Sequence, residues 1–254
     1  MTDQQATRTA IVTGAGSGIG AATAMTLARR GYRVLITGRR QALLEEVAEQ
    51  IASAGGTALA KPLDLSPPSA AQELVDAACE AFGGVDVLVN NAAFIRTHPL
   101  GEFPVEEFDV HIATNIRAPF LLIQAALPCL RASEAASVVN ISSSSGTIVR
   151  PEQSVYGMTK AALEYLTRSL AAELASDRIR VNCIAPGPVD TPLHETWAES
   201  REAAHAWMMP QIPLARIADP EEIAAWVAFL CSHDSRWVTG AVIPVDGGQA
   251  LDFQ

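Results

Sequence analysis

A tyrosine and a lysine four residues apart, Tyr156 and Lys160, close the segment SSSGTIVRPEQSVYGMTK, which opens on Ser143. These residue types at this spacing suit acid catalysis on a carbonyl. On a helix, positions i and i+4 share a face, so the ammonium is expected beside the phenol, where it favours the ionised form. A free phenol titrates near pH ~10. Bringing that value toward the working pH would let one group give a proton to a developing alkoxide and take it back in reverse. Ser143 can supply a second hydrogen bond to the same oxygen. The pattern alone also occurs by chance on amphipathic helices, so the rest of the chain must decide.

Near the N-terminus an apolar run, TAIVT, leads into GAGSGIG and then the helical AATAMTLARR. Strand, glycine turn and helix make a dinucleotide site, with the phosphates drawn to the helix N-terminus. Gly14 permits the tight turn, Gly18 lets a pyrophosphate approach the backbone, and Gly20 lets helix pack on strand. The pattern G-x-x-x-G-x-G is one residue longer than the G-x-G-x-x-G fingerprint, and no Gly-Lys-Ser/Thr ending points to a nucleoside triphosphatase.

Taken together these residues resemble the compact branch of the short-chain dehydrogenase/reductase family over nearly the whole chain. TGAGSGIG (13–20) matches the cofactor turn, Asp64 and Leu65 the adenine contact, and NNAA (90–93) the motif after the fourth strand. PGPVDT (186–191) matches the nicotinamide loop, and VTGAVIPVDGG (238–248) the last strand. Asn115, Ser143, Tyr156 and Lys160 fall where the family keeps its catalytic tetrad. The resemblance implies that Asn115 holds a water linking Lys160 to solvent, although an interior asparagine could equally make a plain structural bond at a helix kink. It implies cofactor contacts at Gly14, Ser17, Gly18, Ile19, Gly20, Asn91, Ala92, Tyr156, Lys160, Pro186, Gly187, Val189 and Thr191. Ala93 departs from the family's usual glycine; its methyl could narrow the floor of the site or simply require a negative φ.

Cofactor choice is read after the second strand, RVLITGRR (33–40). An NAD site normally ends that strand with a carboxylate for the ribose hydroxyls. Here Gly38 stands there, followed by Arg39 and Arg40, whose guanidinium groups could pair with a 2′-phosphate. The expectation is NADP(H), with NAD(H) as the alternative, although both arginines could be solvated charges at a helix start and Ser17 puts no basic residue in the glycine turn. Substrate candidates are Ser145, Gln153, His194 and Trp197. For His194 and His205 a solvated loop position is favoured. Trp197, Trp207, Met208 and Met209 give a lid of about residues 190–217 an apolar side that could face substrate, protein or a second subunit.

The elements needed to position these groups follow from the pattern of the chain. Short β-branched runs near Thr9, Arg33, Thr57, Val85, Ser137, Arg180 and Val242 alternate with helical stretches, which predicts a Rossmann-type α/β fold. That is a doubly wound, parallel, seven-stranded sheet with helices on both faces, here as a single domain over 1–254 with the lid before the last helix and strand. A 49% hydrophobic composition can fill the core. The formal charge of −10 argues against nucleic acid or an anionic membrane as partner. Residues 1–8 lack the apolar core of a signal peptide and no uninterrupted apolar run approaches a membrane span, so a cytoplasmic protein is expected. Four cysteines, distant in sequence, are expected to be buried and reduced, and five scattered histidines predict no metal site. By resemblance the chain forms a homo-oligomer, tetramer or dimer, through helices near 104–131 and 155–175 and the C-terminal strand. Function is expected to be NADPH-dependent carbonyl reduction of a small molecule. NAD-linked alcohol oxidation is the nearer alternative, and a nucleotide-sensing regulator without turnover the more distant one.

Overall fold

A computed structural model describes residues 7–196 and 198–251, the side chain of residue 196 excepted. In chain order it contains β1 (Thr9–Thr13), α1 (Gly18–Arg29), β2 (Arg33–Gly38), α2 (Gln41–Ser53), β3 (Thr57–Pro62), α3 (Ala70–Phe82) and β4 (Val87–Asn90). There follow α4 (Val105–Ile112), α5 (Ala118–Ala132), β5 (Ser137–Ile141), α6 (Ser154–Glu173), β6 (Arg180–Pro186), α7 (Arg201–Met208), α8 (Pro220–Leu230) and β7 (Val242–Val245). The seven strands form one parallel sheet in the order β3-β2-β1-β4-β5-β6-β7. All seven expected strands are present, the fourth starting two residues after Val85.

Side-chain alternation along the strands decides which helix meets which face. Ala10, Val12, Val34, Ile36, Val87 and Val89 point to one side, where Leu27 of α1, Leu44 of α2 and Val227 of α8 cover them. Ile11, Leu35, Leu88, Val138 and Val181 point to the other, against Leu74 of α3, Leu122 and Ile123 of α5, and Leu170 of α6. Strands covered on both faces read as near-continuous apolar runs, which is what β1, β4 and β5 show. α4 and α5 join through a π turn, Ala113–Arg117, into one apolar helical run from Val105 to Ala132. By length and composition it could cross a membrane, but the α5 face bearing Ala118, Leu122, Ala126 and Leu130 lies in the core.

A polar chain runs inside the second layer. Asn90 Nδ2 donates to Asn140 Oδ1 at 2.8 Å, Asn140 Nδ2 to Thr167 Oγ1 at 2.9 Å, and the Thr167 hydroxyl to the Leu163 carbonyl at 2.8 Å. Leaving any of these buried groups without a partner would cost about 1–3 kcal/mol, so the chain pins β4, β5 and α6 in register. Two of the cysteines, distant in sequence, meet in space: Cys79 of α3 and Cys129 of α5 lie Sγ to Sγ at 3.2 Å and are only half-buried. Burial and the bond to Cys129 push the Cys79 thiol up to about 11. Cys183 and Cys231 are fully buried, and among the described residues no group of side chains could hold a metal.

Candidate active site

The carboxyl ends of β1 and β4 are tied together first. Thr13 Oγ1 accepts from the Asn91 and Ala92 amides, both at 2.9 Å, while Asn91 Nδ2 donates to the carbonyls of Thr13 at 2.8 Å and Gly14 at 3.2 Å. The turn leaving β1 takes positive φ at Gly14 (64°) and Gly18 (53°), a region that favours glycine. A Cβ on Gly18 would come within 2.8 Å of the Thr191 methyl, so the turn and the loop after β6 touch. At Gly20 a Cβ would run into the Gly14 carbonyl oxygen, so Gly20 sets how closely α1 packs on the turn and is not on the cavity wall.

A groove of about 500 Å³ opens above this turn. Gly14, Ser17, Gly18, Ile19, Arg39, Arg40, Asp64, Leu65, Asn91, Ala92 and Thr191, all expected to contact cofactor, are on its wall. Its glycine floor and helix N-terminus fit a dinucleotide, since side chains there would fill the cradle. Arg40 Nη2 donates to Ser17 Oγ at 3.1 Å, which brings a basic group to the glycine turn that has none of its own. Asp64 accepts from the Ser66 amide at 2.9 Å.

A second cavity of about 140 Å³ adjoins the groove and holds Ser143, Tyr156 and Lys160 together with Pro186, Gly187 and Val189. Ile19, Asn91, Ala93, Ile95, Thr191 and Leu193 belong to both walls. Ala93 is outside the positive-φ set, so its methyl brings no backbone strain. The Ser143 hydroxyl lies near enough to the Tyr156 phenol to favour its ionised form. The expected lowering of the phenol by Lys160 is not what the structure shows. Lys160 Nζ donates to the Ile141 carbonyl at 2.9 Å and sits 5.5 Å from the Tyr156 ring centre. Burial dominates both groups: it pushes Tyr156 up to about 12, softened by the Ser143 hydroxyl, and Lys160 down to about 8.

Asn115 is buried on the π turn and stands behind both cavities. Its Oδ1 accepts from the Phe94 amide at 2.8 Å, and its Nδ2 donates to the Phe94 carbonyl at 2.9 Å and to Thr159 Oγ1 at 3.0 Å. Its side chain is therefore committed to holding the 93–95 wall against α6. His111 supports the same wall: its Nδ1 donates to the Glu107 carbonyl at 2.7 Å and its Nε2 accepts from the Arg96 amide at 3.2 Å, which requires the neutral ring.

Of the substrate candidates, Ser145 Oγ donates to Gln153 Oε1 at 3.0 Å and both line the catalytic cavity. His194 lines it too and is buried, which corrects the expectation of a solvated loop residue. Burial and the neighbouring His205, ring centres 5.5 Å apart, take its imidazole down to about 4. His205 Nε2 and Arg201 Nη1 both lie 3.4 Å from Asp190 Oδ1, which ties α7 to the loop after β6. Trp197 lies outside the described residues. Trp207 and Met208 of the apolar lid do reach the cavity. Arg150 and Gln249 also line it and were not singled out in the sequence. Arg150 is the only basic residue between Ser143 and Lys160, a signal that was available; Gln249 arrives from beyond β7 through packing alone.

The family model described as enoyl-(acyl carrier protein) reductase matches residues 14–250. A tropinone reductase homolog of Arabidopsis thaliana is 40% identical over 242 residues, which is 95% of this chain and 91% of that protein. The crystal structure of a short-chain type dehydrogenase/reductase from Mycobacterium marinum superposes with a TM-score of 0.90 at 35% identity, covering 96% of each chain. A blue fluorescent protein from a metagenomic library, in complex with NADPH, gives 0.89 at 33% identity over 96% of this chain and 98% of its own.

Proposed function

Because the chain belongs to the short-chain dehydrogenase/reductase family and is an oxidoreductase of that family, we propose that it is an NADPH-dependent carbonyl reductase with Tyr156 as general acid. The observation that carries this reading is that Ser143, Tyr156 and Lys160 line one cavity that shares a wall with a dinucleotide-sized groove. The cofactor, when bound, would supply a hydride to the carbonyl carbon. Gly14, Ser17, Gly18, Ile19, Asp64, Leu65, Asn91 and Ala92 would hold its nucleotide part, and Pro186, Gly187, Val189 and Thr191 its nicotinamide end.

The chain's own groups then do the oxygen chemistry. Ser143 and Tyr156 hold the carbonyl oxygen with two hydrogen bonds, and Tyr156 passes its proton as charge develops there. A phenol raised by burial is protonated at neutral pH and can donate to the carbonyl oxygen. Lys160 keeps its place through the Ile141 carbonyl and has two further N–H groups for phenol and ribose. Asn115 acts at one remove, by fixing the wall at Phe94 and α6. NADP(H) over NAD(H) is supported by Arg39 and Arg40 on the groove wall, with Gly38 where a carboxylate would repel a 2′-phosphate. The NADPH complex of the related blue fluorescent protein agrees with this.

The reading includes a small-molecule partner, neither nucleic acid nor membrane, and an NADP-supplying compartment such as the cytoplasm, supported by the net charge of −10. It also includes a homo-oligomer, supported by the exposed apolar side chains Phe108 and Phe120 on α4 and α5 and Met158 and Tyr165 on α6. The test is nicotinamide absorbance with NADPH and NADH over a panel of ketones and aldehydes, with Tyr156→Phe as the blank. NADPH consumption that vanishes in the variant is the expected result; tight NADPH binding without turnover of any carbonyl would overturn it in favour of a sensor.

A further inference from the structure

We propose that the substrate is a compact oxo carboxylate, and that Arg150 is the specificity-determining residue that binds its carboxylate in the catalytic cavity. The inference rests on the carbonyl-reductase reading and names its substrate class. The chain carries 28 acidic residues against 18 basic ones, yet no Asp or Glu is among the described residues that wall this cavity. Among the described residues the two charged side chains on the wall are both cations, Arg150 and Lys160. Lys160 is held by the Ile141 carbonyl beneath the tyrosine, with its remaining N–H groups assigned to phenol and ribose. Arg150 is different.

Its partners are neutral: Nη1 donates to Gln211 Oε1 at 3.2 Å, and the guanidinium carbon lies 5.8 Å from the Trp207 ring centre. Among the described residues no carboxylate comes within ion-pair distance of it. Burial disfavours its charge and no neighbouring acid offsets that. Gln211 and Trp207 therefore hold the group in place without neutralising it. That leaves its remaining N–H groups for a planar two-oxygen acceptor, which a guanidinium fork matches bidentately.

The backbone presents this side chain deliberately. The Gln153 amide donates to the Arg150 carbonyl at 3.3 Å, closing a turn with Pro151 second and Glu152 third at φ 64°. A positive φ at a non-glycine residue is strained and persists where the surroundings hold it, commonly at functional sites. The next residue of the turn, Gln153, is itself on the cavity wall. The cavity of about 140 Å³ must also take the nicotinamide end beside Pro186, Gly187 and Val189, so only a short chain fits between that ring and Arg150. The reaction would be ordinary carbonyl reduction: the oxo group gains hydrogen at carbon from NADPH and a proton at oxygen from Tyr156, NADPH becomes NADP⁺, and the carboxylate is unchanged.

The experiment compares 2-oxobutanoate, 3-oxobutanoate and 4-oxopentanoate with their methyl esters and with dihydroxyacetone phosphate, in the wild type, Arg150→Gln and Arg150→Lys. At least one oxo acid should exceed its ester in kcat/KM. Arg150→Gln should reduce that acid-to-ester ratio roughly 10- to 100-fold, mostly through KM, and Arg150→Lys should restore part of it. Calorimetric titration of the same acids into the enzyme with NADP⁺ reads the site without turnover. If no carbonyl is reduced but an oxo acid binds and Arg150→Gln abolishes binding, the reductase reading fails while the anion site stands. Turnover that favours esters or the phosphate, or a ratio unmoved by Arg150→Gln, overturns the inference and leaves the reductase reading intact.

Discussion

The two central groups of the site are perturbed by burial in opposite senses, and that fixes what substitution should do. Tyr156→Phe should keep NADPH binding, followed by fluorescence titration, and lose a factor on the order of 10² to 10⁴ in turnover, the usual worth of a positioned general acid. Lys160 carries a stability signature. Its folded pKa of about 8 lies below the ordinary 10.5, so the unfolded chain binds more protons between those values and folding strengthens as pH rises through that window. Lys160→Met removes the effect. Urea unfolding should therefore show the wild type gaining about 3 kcal/mol relative to the variant between pH 8 and pH 10.5, at 1.36 kcal/mol per unit. At Gly38 an added Cβ would meet only the Leu44 side chain, at 3.8 Å, and φ is not left-handed. Gly38→Asp with Arg39→Leu should thus fold and invert the preference from NADPH to NADH, read as the ratio of the two kcat/KM values. A ratio that stays with NADPH would locate discrimination outside the end of β2.

At the scale of elements, two positions transmit the backbone's demands to the site. Gly20→Ala would drive α1 off the glycine turn, at about 1–3 kcal/mol of overpacking, and weaken NADPH binding together with thermal stability. Asn115→Leu would leave both backbone groups of Phe94 without a side-chain partner, so an unfolding loss of about 2–3 kcal/mol is expected, along with a defect in turnover. What the sequence made legible belongs to this scale. Seven strands announced themselves as short, mostly apolar runs alternating with helical stretches. Contacts made across the fold were not readable. Lys160 turns to Ile141, Cys79 meets Cys129, and Gln249 crosses to Ser144 Oγ at 2.9 Å because of where the sheet places them, and spacing along the chain carries no trace of that.

For the whole molecule, the apolar side chains left outside the two packed layers set an expectation about assembly. Sedimentation should give a multiple of the 26.9 kDa chain mass, and Tyr165→Glu, at a side chain 70% exposed on α6, should lower that multiple without unfolding the chain. A monomeric wild type would show that these faces serve another purpose. The common wall between groove and cavity has a further result. Ile19, Asn91, Ala93, Ile95, Thr191 and Leu193 form a neck where the two spaces meet. A molecule lying along the groove with one end in that neck becomes part of the inner chamber's lining, so the chamber is complete only after the larger ligand has arrived. Turnover should then have a compulsory sequence, dinucleotide on first and off last, with NADP⁺ competing against NADPH and the alcohol product competing with neither free form.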